Sequence, residues 1–130
     1  MKNKLSKNYK DLLEIYKNFH QKGTKWESAE QTFDGRSLRF FFNPIKQIIN
    51  STKSQSIIDF GCGKGKFYFN KIKIQENEYD NISDFWNIDD YYLYDPGVEK
   101  FKIYPEEKKD GVICVDVVEH ITPEDIEIFI

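Results

Sequence analysis

The sequence has no run approaching the roughly 20 apolar residues of a membrane span. Its first residues, MKNKLSKNYKDLLEIYKNF, are too charged for the apolar core of a signal peptide, so a cytoplasmic protein with no membrane partner is expected. Charge of one sign is also lacking. The 22 acidic and 19 basic residues are mixed along 130 positions, for a formal charge of -3, so nucleic acid is not indicated as a partner, although a local basic patch is compatible with this balance. The two cysteines, Cys62 and Cys114, lack metal-ligand spacing and read as reduced, partly buried thiols, which excludes a disulfide framework and gives no metal site. Internal repeats and low-complexity linkers are absent. What the chain does have is apolar residues at 39% and aromatic residues at 16%, enough for one domain with a modest core.

Leu5, Tyr9, Leu12, Leu13, Tyr16 and Phe19 fall three and four apart, which predicts one amphipathic helix ended by Gly23. Leu38, Phe41, Phe42, Ile45, Ile48 and Ile49 predict a second from about Arg36 to Asn50, kinked at Pro44. A strand follows at Ile57 and Ile58, running into glycines at 61, 63 and 65. KFYFNKIKI, residues 66–74, fits alternation nearly as well as a helix, and a short helix is the expectation. Residues 75–90 are acidic and irregular, and read as a surface loop or lid anchored by Phe85 and Trp86. Two more strands are predicted at 91–95 and 111–116. The final TPEDIEIFI reads as a helix start, with Thr122 as cap and Pro123 at the first helical position.

Three predicted strands thus end on an acid: Asp59, Asp95 and Asp116. Open parallel sheets bind ligands beyond the carboxyl ends of their strands, so these acids should gather at one edge. The glycines themselves fit neither common phosphate motif. With Gly61 and Gly63 as the first two glycines of G-x-G-x-x-G, the third position holds Lys66, and no Ser or Thr follows Lys66 as a phosphate loop requires. A carboxylate next to the turn favours a ligand carrying positive charge.

Ile57-Ile58-Asp59-Phe60-Gly61-Cys62-Gly63-Lys64-Gly65 resembles the first motif of class I S-adenosylmethionine-dependent methyltransferases over all nine of its positions. YYLYDPG resembles that family's second strand and DGVICVDVVEHI its fourth, and the three stretches occur in order between about residues 56 and 126. The resemblance implies an α/β fold, a three-layer Rossmann-like parallel sheet, with residues 1–52 as a helical cap and 53–130 as a partial cofactor domain. It implies an S-adenosylmethionine site made by Asp59, Gly61, Cys62, Gly63, Gly65, Asp95, Asp116 and Val117, in which Asp95 accepts hydrogen bonds from both ribose hydroxyls. For an acceptor that must lose a proton, His120 is the candidate base and Glu119 its orienting partner. The methyl acceptor itself is not readable.

Each of these readings has a plainer alternative. The glycines suit an ordinary tight turn, Asp95-Pro96-Gly97 is a good turn sequence, Asp116 suits a helix cap, and Glu119 with His120 suits a surface pair. Arg36 reads as a solvated residue or as a partner for the methionine carboxylate. The adenine-contacting acid has no clear counterpart, Glu106 and Glu107 being the nearest guesses. Asp116-Val117-Val118-Glu119-His120 is also similar to the E-x-x-E-H metal stretch of small-RNA 2'-O-methyltransferases, but His20 is the only other histidine and stands far upstream. A non-catalytic binding module with a cofactor fold is the rival of another class. Because one βαβ unit takes roughly 30 residues, residues 57–130 can hold only about three strands, and we expect a truncated sheet that needs a further carboxy-terminal part or a second copy.

Overall fold

The computed structural model describes residues 4–129; positions 1–3 and 130, the outer ends of the expected cap and last helix, lie outside them. The fold is α/β. Strand β1 (Ser56–Phe60) lies between two parallel neighbours, β4 (Asp90–Tyr94) and β5 (Gly111–Ile113), in the order β4-β1-β5. The register runs from Ser56 opposite Asp90 to Phe60 opposite Tyr94, and from Ile57 opposite Gly111 to Asp59 opposite Ile113. Its central place explains the sequence of β1. A strand flanked on both sides and covered on both faces reads as a continuous apolar run, and Ile57, Ile58 and Asp59 are all buried. Asp110 fixes where the strands start, its Oδ2 accepting from the backbone N–H groups of Gln55 (2.8 Å) and Ser56 (3.2 Å). β4 is shifted one residue toward the amino terminus of its predicted range, and β5 is half the predicted length. Asp95 falls one residue beyond β4 and Asp116 three beyond β5.

The first helix, α1 (Lys7–Lys22), matches its prediction. Ser6 Oγ caps it by accepting from the Tyr9 N–H, and the Gly23 N–H closes it on the Phe19 carbonyl in a left-handed conformation that glycine adopts cheaply. The expected helix from Arg36 to Asn50 is instead a 3-10 turn, Arg36–Phe41, followed by α2 (Phe42–Thr52). Pro44 sits in the first turn of α2, where a missing N–H has no helical acceptor to lose, so it begins a helix rather than kinking one.

Between β1 and β4 the structure departs most from expectation. Residues 66–74 do not form a helix. Lys66–Tyr68 make a single 3-10 turn, and Ile72 and Ile74 then alternate in β2 (Ile72–Ile74), which pairs antiparallel with β3 (Asn77–Tyr79). Nor is 75–90 a surface loop. It holds β3 and the short helix α3 (Ile82–Trp86), capped by the Asn81 side chain on the Asp84 N–H, and Ile82, Phe85, Trp86 and Ile88 are buried at the centre of the core. Trp86 donates its indole N–H to the Phe42 carbonyl (3.0 Å) and Lys46 donates to the Phe85 carbonyl, joining α3 to α2.

The chain finishes with 3-10 turns at Val118–His120 and Pro123–Asp125 and with α4 (Ile126–Phe129). Pro123 does open this segment, but Thr122 does not cap it with its side chain. Its hydroxyl donates to buried Asp125, which also accepts from the Ser6 N–H (2.7 Å) and hydroxyl (2.5 Å) and so ties this end to the start of α1. Among the described residues, no helix is long and apolar enough to cross a membrane.

Candidate functional site

The carboxyl ends of β1, β4 and β5 open into one cavity of about 330 Å³. Asp59, Gly61, Cys62, Gly63, Gly65, Asp95, Asp116, Val117 and His120 line it; Glu119 does not. The other side of the cavity comes from α1 and from the loop before α2, through Tyr9, Tyr16, His20, Phe33 and Arg36.

The glycine turn is held by the protein's own groups. Gly61 and Cys62 donate their N–H groups to the Tyr94 carbonyl, Gly63 donates to Asp95 Oδ2 (2.9 Å), Lys64 to the Phe33 carbonyl, Gly65 to the Cys62 carbonyl and Lys66 to the Asp34 carbonyl. Six consecutive donors are therefore committed, and the turn offers no nest of N–H groups to an anion. The close approach that requires glycine is likewise internal. A Cβ on Gly63 would stand 2.2 Å from the Phe33 carbonyl oxygen, and one on Gly61 would stand 2.2 Å from Val117 Cγ2. Both residues, with Gly65, have positive φ. Gly63 thus admits the 33–36 loop against the turn.

Burial pushes the pKa of Asp59 up to about 7, against the pull of the Tyr68 hydroxyl, which donates to it at 2.7 Å; the nearby charge of Asp95 adds to the rise. Asp95 is better solvated and accepts one N–H on each oxygen, from Gly63 on Oδ2 and Gly97 on Oδ1 (both 2.9 Å). A carboxylate oxygen can accept more than one hydrogen bond, so each keeps capacity for a ligand hydroxyl. Asp116 is exposed and adopts φ 55, a left-handed conformation that aspartate tolerates better than most residues. Cys62 is buried and burial raises its pKa, so it packs as a neutral thiol; Cys114 is exposed, contrary to the expectation of a partly buried group, because β5 has a neighbour only on its β1 side.

His120 is reached from α1. The Tyr16 hydroxyl lies 3.0 Å from its Nδ1, and Glu119 Oε1 lies 3.9 Å from its Nε2. His20 is the second histidine at the cavity. Burial keeps its pKa below the ordinary value, Lys64 Nζ donates to its Nδ1 (3.1 Å), and its Nε2 stands 3.9 Å from Asp95 Oδ1. Lys64, a potential counter-charge, is thereby turned away to His20 and the Thr32 carbonyl. Arg36 is committed to Asp34 through Nε (3.1 Å) and to Glu27 (3.4 Å), so it is not merely solvated. Tyr16, His20 and Phe33 are the site residues that the sequence does not single out. Their only signal is membership of an apolar helix face or of a short polar loop.

Among the described residues, no group of three or more His, Cys, Asp or Glu side chains is arranged to hold a metal ion, and Asp116, Glu119 and His120 do not converge on one. Comparison with protein-family models, with curated proteins and with solved structures finds no match.

Proposed function

We propose that the cavity binds S-adenosylmethionine and that the chain belongs to a methyltransferase with a Rossmann-like sheet. The observation that carries this reading is the meeting of Asp59, Asp95 and Asp116 with a donor-poor glycine turn at the carboxyl edge of a parallel sheet. The residues present fit such a cofactor. Committed N–H groups disfavour a pyrophosphate, the carboxylates favour a sulfonium and an ammonium, and the aromatic residues Tyr9, Tyr16 and Phe33 line the cavity, a residue type that suits a cation.

When bound, S-adenosylmethionine supplies an electrophilic methyl group. The chain's own part is mostly to orient, since an in-line displacement gains most from holding its reactants in place. Asp95 accepts from the ribose hydroxyls on the capacity left by Gly63 and Gly97. Asp116 places negative charge by the methionine part, and Val117 packs on Gly61. For an acceptor that must lose a proton, His120 takes it at Nε2, the nitrogen facing Glu119, while its Nδ1–H donates to the Tyr16 hydroxyl. A second reading, a cofactor-fold module that binds a partner without chemistry, is favoured by the finding that the close approaches at Gly63 and Gly61 are to the protein's own Phe33 and Val117. Thermal unfolding with and without ligand separates the two. An upward shift in Tm with S-adenosylmethionine, absent with ATP, supports the first reading, and no shift with either supports the second.

A further inference from the structure

We propose that the methyl acceptor is a single-stranded nucleic acid whose phosphates lie in a basic groove opening off the cavity. This rests on the reading above for the reaction, though not for the groove. Arg36, Arg39, Lys66, Lys71 and Lys73 line the groove, a space of about 490 Å³, against the single acid Asp34. Two further acids reach in, Glu27 to Arg36 (3.4 Å) and Glu78 to Lys71 (3.7 Å), which still leaves five positive charges against three negative on a chain that is negative as a whole. Arg39 and Lys73 are exposed and form no ion pair among the described residues. A phosphodiester backbone is the ligand such spaced cations suit, because each contact releases counterions.

An exposed aromatic ring beside a groove cation favours nucleic acid over other polyanions. Phe40, 68% exposed, carries the guanidinium of the groove residue Arg39 4.8 Å from its ring centre. An exposed ring flanked by a cation is a stacking platform for an unpaired base, for which an acidic peptide has no use. The groove adjoins the cavity, with Gln31, Asp34, Arg36, Lys66 and Phe67 lining both. A strand held by its phosphates in the groove therefore presents a neighbouring nucleotide to the cavity that His120 lines.

The test is fluorescence anisotropy of the whole chain with a labelled oligouridylate of about 12 nucleotides, titrated at several salt concentrations. Three to four phosphate contacts predict a slope of log K against log[salt] of about -2 to -3. Arg39→Glu and Lys73→Glu should each weaken binding about tenfold or more and flatten that slope, and Phe40→Ala should weaken it about fivefold or more with the slope kept. Lys108→Glu, exposed and outside the groove, should change neither. Absence of oligonucleotide binding, equal loss in Lys108→Glu, or tighter binding of a polyglutamate peptide or of phosphatidylserine vesicles through the same residues would overturn the proposal. S-adenosylmethionine binding, measured on the same proteins, keeps the two claims apart. If the oligonucleotide pattern appears without cofactor binding, the groove stands and the methyl-transfer reading falls; cofactor binding without the pattern gives the reverse.

Discussion

Replacing Asp59 by asparagine should make this protein more stable as the pH rises, relative to wild type. Asp59 is 5% exposed at the end of β1, and burial, opposed by the Tyr68 hydroxyl and helped by Asp95, raises its pKa from 3.8 to about 7. The sign follows from proton counts. Between about pH 4 and 7 the folded chain holds this proton while the unfolded chain has lost it, so the unfolding free energy falls with rising pH across that window. The penalty is absent below it and complete above it. At 1.36 kcal/mol per pKa unit the full cost of ionising Asp59 is about 4 kcal/mol, more than half of which accumulates between pH 5 and 8. Asparagine keeps an oxygen for Tyr68 and carries no charge; its unpartnered amide costs about 1 to 3 kcal/mol at every pH and cancels when two pH values are compared. Urea unfolding of both proteins at pH 5 and pH 8 measures the difference. A gap between variant and wild type that is constant to within about 0.5 kcal/mol, or that moves against the variant as pH rises, would refute the reasoning.

Gly63→Ala should lower stability by about 2 kcal/mol or more, because a Cβ at φ +59 meets the Phe33 carbonyl oxygen at 2.2 Å; a denaturant midpoint equal to wild type would contradict that packing. Asp95→Ala should weaken S-adenosylmethionine binding by about 1.5 to 3 kcal/mol, and should also cost stability, since the Gly63 and Gly97 N–H groups lose their acceptor; unchanged affinity would make Asp95 a turn former only. Trp86→Ala should cost about 3 to 5 kcal/mol by equilibrium unfolding, as the indole is 1% exposed and its N–H holds the start of α2. His120→Ala should slow methyl transfer to an oligonucleotide while leaving cofactor affinity in place, and joint loss of both would assign it a structural role.

The parallel sheet was legible because its strands are apolar runs followed within a few residues by turn signals, and a centrally placed strand has no polar face to confuse the pattern. The carboxyl-terminal end of α1 was legible for the same local reason: Gly23 supplies a positive-φ end that few residues adopt cheaply. Residues 66–74 were not, since Phe67, Phe69, Ile72 and Ile74 fit both periods over too short a span, and only pairing with Asn77–Tyr79 decides between them. In α3 a signal existed. Asn81 stands as a cap before Ile82, Phe85 and Trp86 at helical spacing, but Asp84, Asp89 and Asp90 make the surrounding sequence read as solvated loop. At the site, the strand-end acids follow from the sheet alone. Tyr16, His20 and Phe33 reach the cavity only because α1 and the 33–36 loop dock on the glycine turn, a long-range event that no local pattern encodes. The basic groove was hidden by averaging, as its cations come from three separate segments of a chain whose total charge is negative.

The central claim is that this cavity prefers a cationic nucleoside to an anionic one, and isothermal titration calorimetry of the full chain tests it most directly. Titrated separately with S-adenosylmethionine, with its uncharged thioether product S-adenosylhomocysteine and with ATP, the protein should bind the first two at one site and ATP not at all, because the turn's N–H groups are spent and the acids Asp95 and Asp116 line the cavity. Binding of ATP at that site, or no heat from S-adenosylmethionine with a protein that unfolds cooperatively, would contradict it.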